Sequence, residues 1–314
     1  MTIPVVDLSD FINGTPEQKS AFVQELGKAY EDVGFVAVKN HGIPADLIAD
    51  LYKYVQQFFS LPSEKKKNFE IPELAGQRGY TSFGKEHAKG SDAPDLKEFF
   101  QYGQVVPQDH KLKSEYPDNV KVDDVPGFNE TFFRAYRAFE RSGKSLLQAI
   151  ALYLNLDETY FDEFVEEGNS IVRAIHYPPI TSEPKSAIRA EQHEDINLIT
   201  LLVGASADGL QILTKHNEWI GVTSLPDQIV VNVGDMLQRL TNNKLKSTTH
   251  RVVNPPRDLW HTSRFSIPFF LHPKSSMSLA ALNSCIDKTH EKAYKDITAG
   301  EYLDERLREI GLKK

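Results

Sequence analysis

Apolar residues recur at helical spacing through the first half of the chain and give way to short extended runs after Gly168. Phe22, Leu26, Tyr30 and Val33 stand three or four residues apart, so they share one face of a helix. Thr15-Pro16-Glu17-Gln18 precedes that face with the form of a capping box and a proline at the first helical position, and Gly34 marks the stop. The same spacing predicts a helix from Pro44 to Ser60, with Leu47, Ile48, Leu51, Val55 and Phe58 on one side. It predicts a longer one from about Glu130 to Leu154, carrying Phe132, Phe133, Tyr136, Phe139, Leu146 and Ile150. Phe35–Lys39 reads as a strand.

Beyond Gly168 the runs are Ile171–Tyr177, Asn197–Val203, Leu210–Leu213, Trp219–Val222, Gln228–Val233, Arg251–Val253 and Arg264–Leu271, with turn residues between them. Short strands at this spacing predict an antiparallel sandwich or barrel. Helical character returns after Thr298-Ala299-Gly300-Glu301, a second capping-box pattern. The expected organisation is a helical region at 1–168 packed on a β core at 169–280, followed by a C-terminal helix at 281–314, all in one integrated unit. No internal repeat interrupts it. Ala75–Pro94, rich in glycine and charge, reads as a mobile flap over that core.

Composition narrows the function classes. A chain of 314 residues with 40% hydrophobic and 25% charged residues is ordinary for a globular protein. Its net charge of -8 argues against nucleic acid or an anionic membrane as partner, because binding phosphates needs a basic surface. Cys285 is the single cysteine, so no intrachain disulfide forms, which fits a reducing cytoplasm. Met1–Asp10 lacks a secretory pattern, and no run approaches the roughly 18 apolar residues of a membrane span. The expectation is a cytoplasmic protein acting on a small molecule, with no protein partner predicted.

The candidate chemistry lies in Glu191-Gln192-His193-Glu194-Asp195, which leads into the run at 197–203. If this stretch is extended, His193 and Asp195 project from one face and can converge on one ion. His250 is the candidate third ligand from a different strand, because it opens the apolar run at 251–253. Two imidazoles and a carboxylate on one face of an octahedron leave three positions open, the arrangement of Fe(II) sites that activate oxygen. A structural zinc site would close four ligands, usually with cysteine, and this chain offers only one thiol. His-x-Asp alone is weak, since about 0.7 such triplets arise by chance in a chain with 10 histidines. His216-Asn217-Glu218 is a rival pair of the same kind. Arg264-Phe265-Ser266 puts a guanidinium and a hydroxyl on one face of the last long strand, a combination suited to a carboxylate. Tyr177, before two prolines, either adds a phenol to that anion or packs in the core.

With these residues in place the chain resembles the isopenicillin N synthase-like family of iron/2-oxoglutarate oxygenases. The resemblance spans most of the sequence. It runs through Ile3–Leu8, Gly34-Phe35, Asn40-His41-Gly42-Ile43 and Asp95-Leu96-Lys97-Glu98, then His193-Glu194-Asp195 and Gly209-Leu210-Gln211. Asn232-Val233-Gly234-Asp235, Ser247–Val252 and Arg264-Phe265-Ser266 complete the order.

The resemblance implies a mainly β fold with flanking helices around a distorted double-stranded β-helix, or jelly roll. It implies His193, Asp195 and His250 as catalytic iron ligands, and Arg264, Ser266 and Tyr177 as the groups that hold 2-oxoglutarate. Fe(II) would be the cofactor, 2-oxoglutarate and O2 the cosubstrates, and ascorbate an optional reductant. The activity would be hydroxylation, desaturation or cyclisation of a small organic substrate with release of succinate and CO2. Family geometry further suggests that Arg78–Tyr80, Lys97–Gln101, Phe270 and the region of Tyr302 face the substrate. Ile175 departs from the plant members, which carry asparagine there, and approaches isopenicillin N synthase, whose Arg-x-Ser pair binds substrate. An Fe(II) oxidase independent of 2-oxoglutarate and a non-catalytic jelly-roll binding protein therefore stand as alternatives.

Overall fold

The structure, a computed structural model, describes residues 3–74, 76–86, 94–204, 208–223 and 225–309. Much of the segment expected to form a flap, residues 75 and 87–93 within Ala75–Pro94, lies outside the described residues.

The chain begins with strand β1 (Val5–Asp7) and helices α1 (Leu8–Ile12) and α2 (Pro16–Asp32). The capping box forms as expected: Thr15 Oγ1 accepts from the Gln18 amide at 3.3 Å, and Gln18 Oε1 accepts from the Thr15 amide at 2.9 Å. Strand β2 (Phe35–Lys39) follows, then α3 (Ala45–Phe59), α4 (Ser63–Lys67), β3 (Gly79–Thr81), β4 (Glu98–Gly103), α5 (Phe128–Tyr153) and α6 (Asp162–Val165). The second half supplies β5 (Ile171–Tyr177), β6 (Ala190–His193), β7 (Ile199–Val203), β8 (Leu210–Leu213), β9 (Trp219–Gly221) and β10 (Gln228–Val233). After these come α7 (Asp235–Leu240), β11 (His250–Val252), β12 (Arg264–Leu271) and α8 (Ala299–Glu309). The second capping box also forms, with the Thr298 amide donating to Glu301 at 2.8 Å and the Glu301 amide donating to Thr298 Oγ1 at 3.2 Å.

Two sheets result. The larger has the order β1-β2-β10-β7-β12-β5-β4-β3 and the smaller β6-β11-β8-β9. Every pairing is antiparallel except β1 with β2. Side-chain alternation gives the large sheet two jobs. Along β12, Ile267, Phe269 and Leu271 join the core against α5, where Phe139 stacks on Phe269 with ring centres 5.3 Å apart. Arg264, Ser266, Pro268 and Phe270 turn the other way, into a cavity between the two sheets.

The helices and late strands lie within a few residues of their expected bounds. Two differences matter. Strands β3 and β4 join the large sheet from the first half of the chain, where the apolar pattern predicts helices apart from Phe35–Lys39. Also, the stretch from Glu191 to Val203 is not one strand: β6 ends at His193 in the small sheet and β7 begins at Ile199 in the large one. Asp195 therefore lies in the crossing between sheets, where its position is set by contacts rather than by strand periodicity.

Candidate metal centre and cosubstrate pocket

His193 and His250 come together because β6 and β11 pair antiparallel with these two residues in direct register, their rings 4.4 Å apart. Asp195 reaches them from the crossing. One ligand atom from each of the three lies within 4.8 Å of the others, the only such group among the described residues. The rival residues His216 and Glu218 are exposed at the tip of the β8–β9 hairpin and belong to no such group.

The neighbours determine which atoms remain for a metal. His193 Nδ1 lies 2.7 Å from the Glu191 carbonyl and His250 Nδ1 3.1 Å from the Thr248 carbonyl. A carbonyl only accepts, so each Nδ1 carries the proton and each Nε2 presents a lone pair. Asp195 Oδ2 accepts from Thr200 Oγ1 at 2.6 Å and from Asn232 Nδ2 at 2.8 Å, which leaves Oδ1, 3.8 Å from His250 Nε2. Loss of solvent and the charge of His250 push the His193 pKa down to about 4, so its ring is neutral at physiological pH. Burial alone would raise the Asp195 carboxyl. The imidazoles of His250 and His193, with the bonds from Asn232 and Thr200, outweigh that and hold it ionised. Two imidazoles and one carboxylate, each pinned by its second atom, fit a divalent iron and leave room for further ligands on the cavity side.

Two close approaches seat this arrangement. Gly34 has φ +75°, and a side chain there would come within 2.3 Å of Thr248 Oγ1 and 2.4 Å of the Lys246 carbonyl. Its neighbour Phe35 packs edge-on against the His250 ring at 5.6 Å. The expected Gly34-Phe35 and Ser247–His250 segments thus meet. At Gly234 a Cβ would fall 2.2 Å from the Asn197 carbonyl, and next to it the Asp235 amide donates to the Asp195 carbonyl at 2.7 Å.

The cavity above the triad is lined by residues of both sheets. Arg264 and Ser266 line one end with Tyr177, which pairs with Arg264 across β5 and β12. Arg264 is 1% exposed, and its guanidinium lies 5.0 Å from the Tyr177 ring centre. Ile175, the departure from the plant pattern, also lines the cavity.

Lys97, Arg173 and Phe270 also line the cavity. Lys97 Nζ pairs with Glu86 at 2.6 Å and Asp95 at 2.7 Å, and Arg173 meets Glu86 at 3.2 Å. Of the residues expected to face a substrate, Lys97 and Phe270 line the cavity, whereas Arg78, Tyr80 and Tyr302 turn elsewhere. Arg78 is buried near Tyr102, Tyr116 and Tyr136, Tyr80 donates to Glu98, and Tyr302 donates to Asp235 at 3.0 Å. Sequence reading missed Thr200, Asn232, Arg173 and Glu86. The first two carried a signal: each is a lone polar residue among apolar neighbours in its strand.

A jelly-roll sandwich with a His-Asp-His group at the floor of its cavity defines a mononuclear non-haem iron oxygenase. Comparison with known proteins agrees. Residues 3–123 match the family model described as non-haem dioxygenase in morphine synthesis N-terminal, and residues 168–273 match that of the 2OG-Fe(II) oxygenase superfamily. A proline hydroxylase of Petromyces alliaceus is 35% identical, over 98% of this chain and 99% of the relative. A 2OG-Fe(II) oxygenase family protein of Caulobacter crescentus superposes with a TM-score of 0.89 at 39% identity, covering 98% and 99% of the two chains. A full-length Neurospora crassa protein, solved in complex with alpha-KG, gives 0.86 at 32% identity, covering 98% and 95%.

The chain belongs to the 2OG-Fe(II) oxygenase superfamily, with its double-stranded β-helix fold. It is an Fe(II)- and 2-oxoglutarate-dependent oxygenase acting on a small molecule. The findings do not favour an oxidase independent of 2-oxoglutarate or a non-catalytic binding protein. No helix among the described residues is long and apolar enough to cross a membrane.

Proposed function

We propose that His193 and His250 through Nε2 and Asp195 through Oδ1 ligate the ferrous ion, and that Arg264 and Ser266, with Tyr177 beside them, hold the far carboxylate of 2-oxoglutarate. The observation that carries this reading is the convergence of three unshared lone pairs at the floor of a cavity that has a buried guanidinium at one end. Bound Fe(II), with 2-oxoglutarate and O2, supplies the oxidation of an unactivated C–H bond, and 2-oxoglutarate leaves as succinate and CO2. The protein's share is orientation. Arg264 and Ser266 fix the cosubstrate at one end by charge-assisted bonds, and the apolar walls at Ile175, Leu202 and Val252 limit water.

The primary substrate then lies against Phe270 and the Arg173–Glu86–Lys97 array. That array offers donors and acceptors next to a flat apolar face, which suits a compact polar molecule the size of an amino acid or a single heterocycle. The relative named as a proline hydroxylase, and the Neurospora crassa protein in its complexes with thymine and 5-formyluracil, have ligands of that scale. Hydroxylation is the reaction we assign. The reading needs no protein, membrane or nucleic-acid partner, and the single Cys285 is in keeping with the cytoplasm.

The test is anaerobic loading with Fe(II), then exposure to O2 and 2-oxoglutarate with a panel of amino acids and heterocycles, scored by succinate release. Arg264→Gln should raise the KM for 2-oxoglutarate by about 10–100-fold, the cost of one charge-assisted bidentate contact. An unchanged KM would remove Arg264 from the cosubstrate site.

A further inference from the structure

Arg189, immediately before β6, has no part in the site described so far, yet it is 2% exposed. One of its terminal nitrogens donates to the Thr262 carbonyl at 3.2 Å. Its Nε has no hydrogen-bond partner, and no carboxylate pairs with it among the described residues. Its guanidinium carbon lies 5.9 Å from the centre of the Tyr177 ring, the ring that Arg264 approaches to 5.0 Å. Two buried cations thus share one phenol. Burial, with the Arg264 charge adding to it, pushes the Arg189 pKa down to about 10, which still leaves it protonated at neutral pH.

Such a pair is costly. A buried charge loses hydration, and a like charge nearby adds repulsion that low dielectric strengthens. A fold tolerates this where something else compensates it, and the cavity end shared by Arg264 and Tyr177 is where a carboxylate would arrive. Arg78 makes the contrast. It is buried as deeply and has two unpartnered nitrogens, but its tyrosine neighbours Tyr102, Tyr116 and Tyr136 line no part of the cavity, whereas Tyr177 does.

We propose that Arg189 is a positioning residue of the 2-oxoglutarate site. It holds the Tyr177 ring and adds a second positive charge behind Arg264, so that the pocket selects a 2-oxo acid with an anionic far end over one without. It acts through Tyr177 and through its field, and does not touch the cosubstrate. The inference rests on Arg264 being the carboxylate end of the site.

The experiment is anaerobic calorimetry on the Fe(II)-loaded protein, titrated with 2-oxoglutarate and with 2-oxopentanoate, which lacks the far carboxylate. In Arg189→Gln the affinity for 2-oxoglutarate should fall about tenfold, the scale of one neighbouring charge in a half-polar site. Binding of 2-oxopentanoate should change less than about twofold on the same argument, since that acid has no charge at the far end. Arg189→Lys keeps the charge and should retain most of the preference. Equal weakening of both acids in Arg189→Gln would reduce the residue to a packing role and overturn the proposal, as would no change in either. If the wild-type protein itself bound both acids equally, the assignment of Arg264 would fail first and take this inference with it.

Discussion

A histidine–carboxylate cluster lies on each side of the large sheet, and the two clusters have opposite fates. On the cavity side His193, Asp195 and His250 keep three lone pairs unused. On the far side Glu98 and His176, paired across β4 and β5, are closed by their neighbours. Lys66 Nζ lies 2.8 Å from both Glu98 oxygens, His176 Nδ1 lies 2.7 Å from one of them, and Tyr80 donates to the other. His176 Nε2 meets Ser263 Oγ at 3.0 Å, and the ring stacks on Phe265 at 4.7 Å. Residue types do not separate the two clusters; the disposition of hydrogen bonds does. Backbone carbonyls and two donors occupy the outward atoms of the cavity triad and so aim the remaining ones at a single point. In the Glu98 cluster the donors take both oxygens of the carboxylate itself.

The largest effect that would break this contrast is loss of a proposed ligand. Asp195→Ala should abolish Fe(II) retention after anaerobic loading and reduce succinate release to background. A variant that keeps stoichiometric iron would show that the two histidines suffice. Glu98→Ala should act on the other quantity. It leaves Lys66, 6% exposed, as a buried cation without its partner, at a cost of about 3–5 kcal/mol in denaturant unfolding. Iron bound per folded molecule should stay the same. Iron loss in Glu98→Ala would mean that the two faces of the sheet are coupled and the comparison is wrong.

The contrast also explains what could be read from sequence. The proposed ligands His193, Asp195 and His250 and the proposed clamp Arg264 and Ser266 were legible as candidates because few residue types ligate iron or clamp a carboxylate, and because they occur in order along the chain. The late strands were legible for the same reason of periodicity. Strands β3 and β4 were not. Gly79-Tyr80-Thr81 is too short to carry a period, and Glu98, Gln101 and Gly103 interrupt β4 with residues that read as exposed. Glu98 is buried because Lys66 and His176 arrive from 32 and 78 positions away. Arg173 with Glu86, and Arg189 with Tyr177, are pairings of the same kind: the fold makes them, and no local pattern announces them. The crossing at Asp195 was not legible because the run from Glu191 to Val203 contains no glycine or proline to mark the break.

The smallest effect expected is the most discriminating, because it leaves all three proposed ligands in place. Asn232 is 4% exposed among apolar neighbours in its strand, and its amide donates to Asp195 Oδ2 beside Thr200 Oγ1. If aiming the lone pair matters as much as supplying it, Asn232→Ala should weaken Fe(II) binding by about 10–100-fold, the usual cost of losing a group that orients a metal ligand. Thr200 still holds one side of the carboxylate, so the loss should fall well short of that in Asp195→Ala. Anaerobic titration against a competing chelator measures it, with 2-oxoglutarate absent so that cosubstrate affinity does not enter. An affinity within about twofold of wild type would mean that the Thr200 hydroxyl alone orients Asp195. The difference between the open and closed clusters would then lie in the cavity rather than in the hydrogen bonds around the carboxylate.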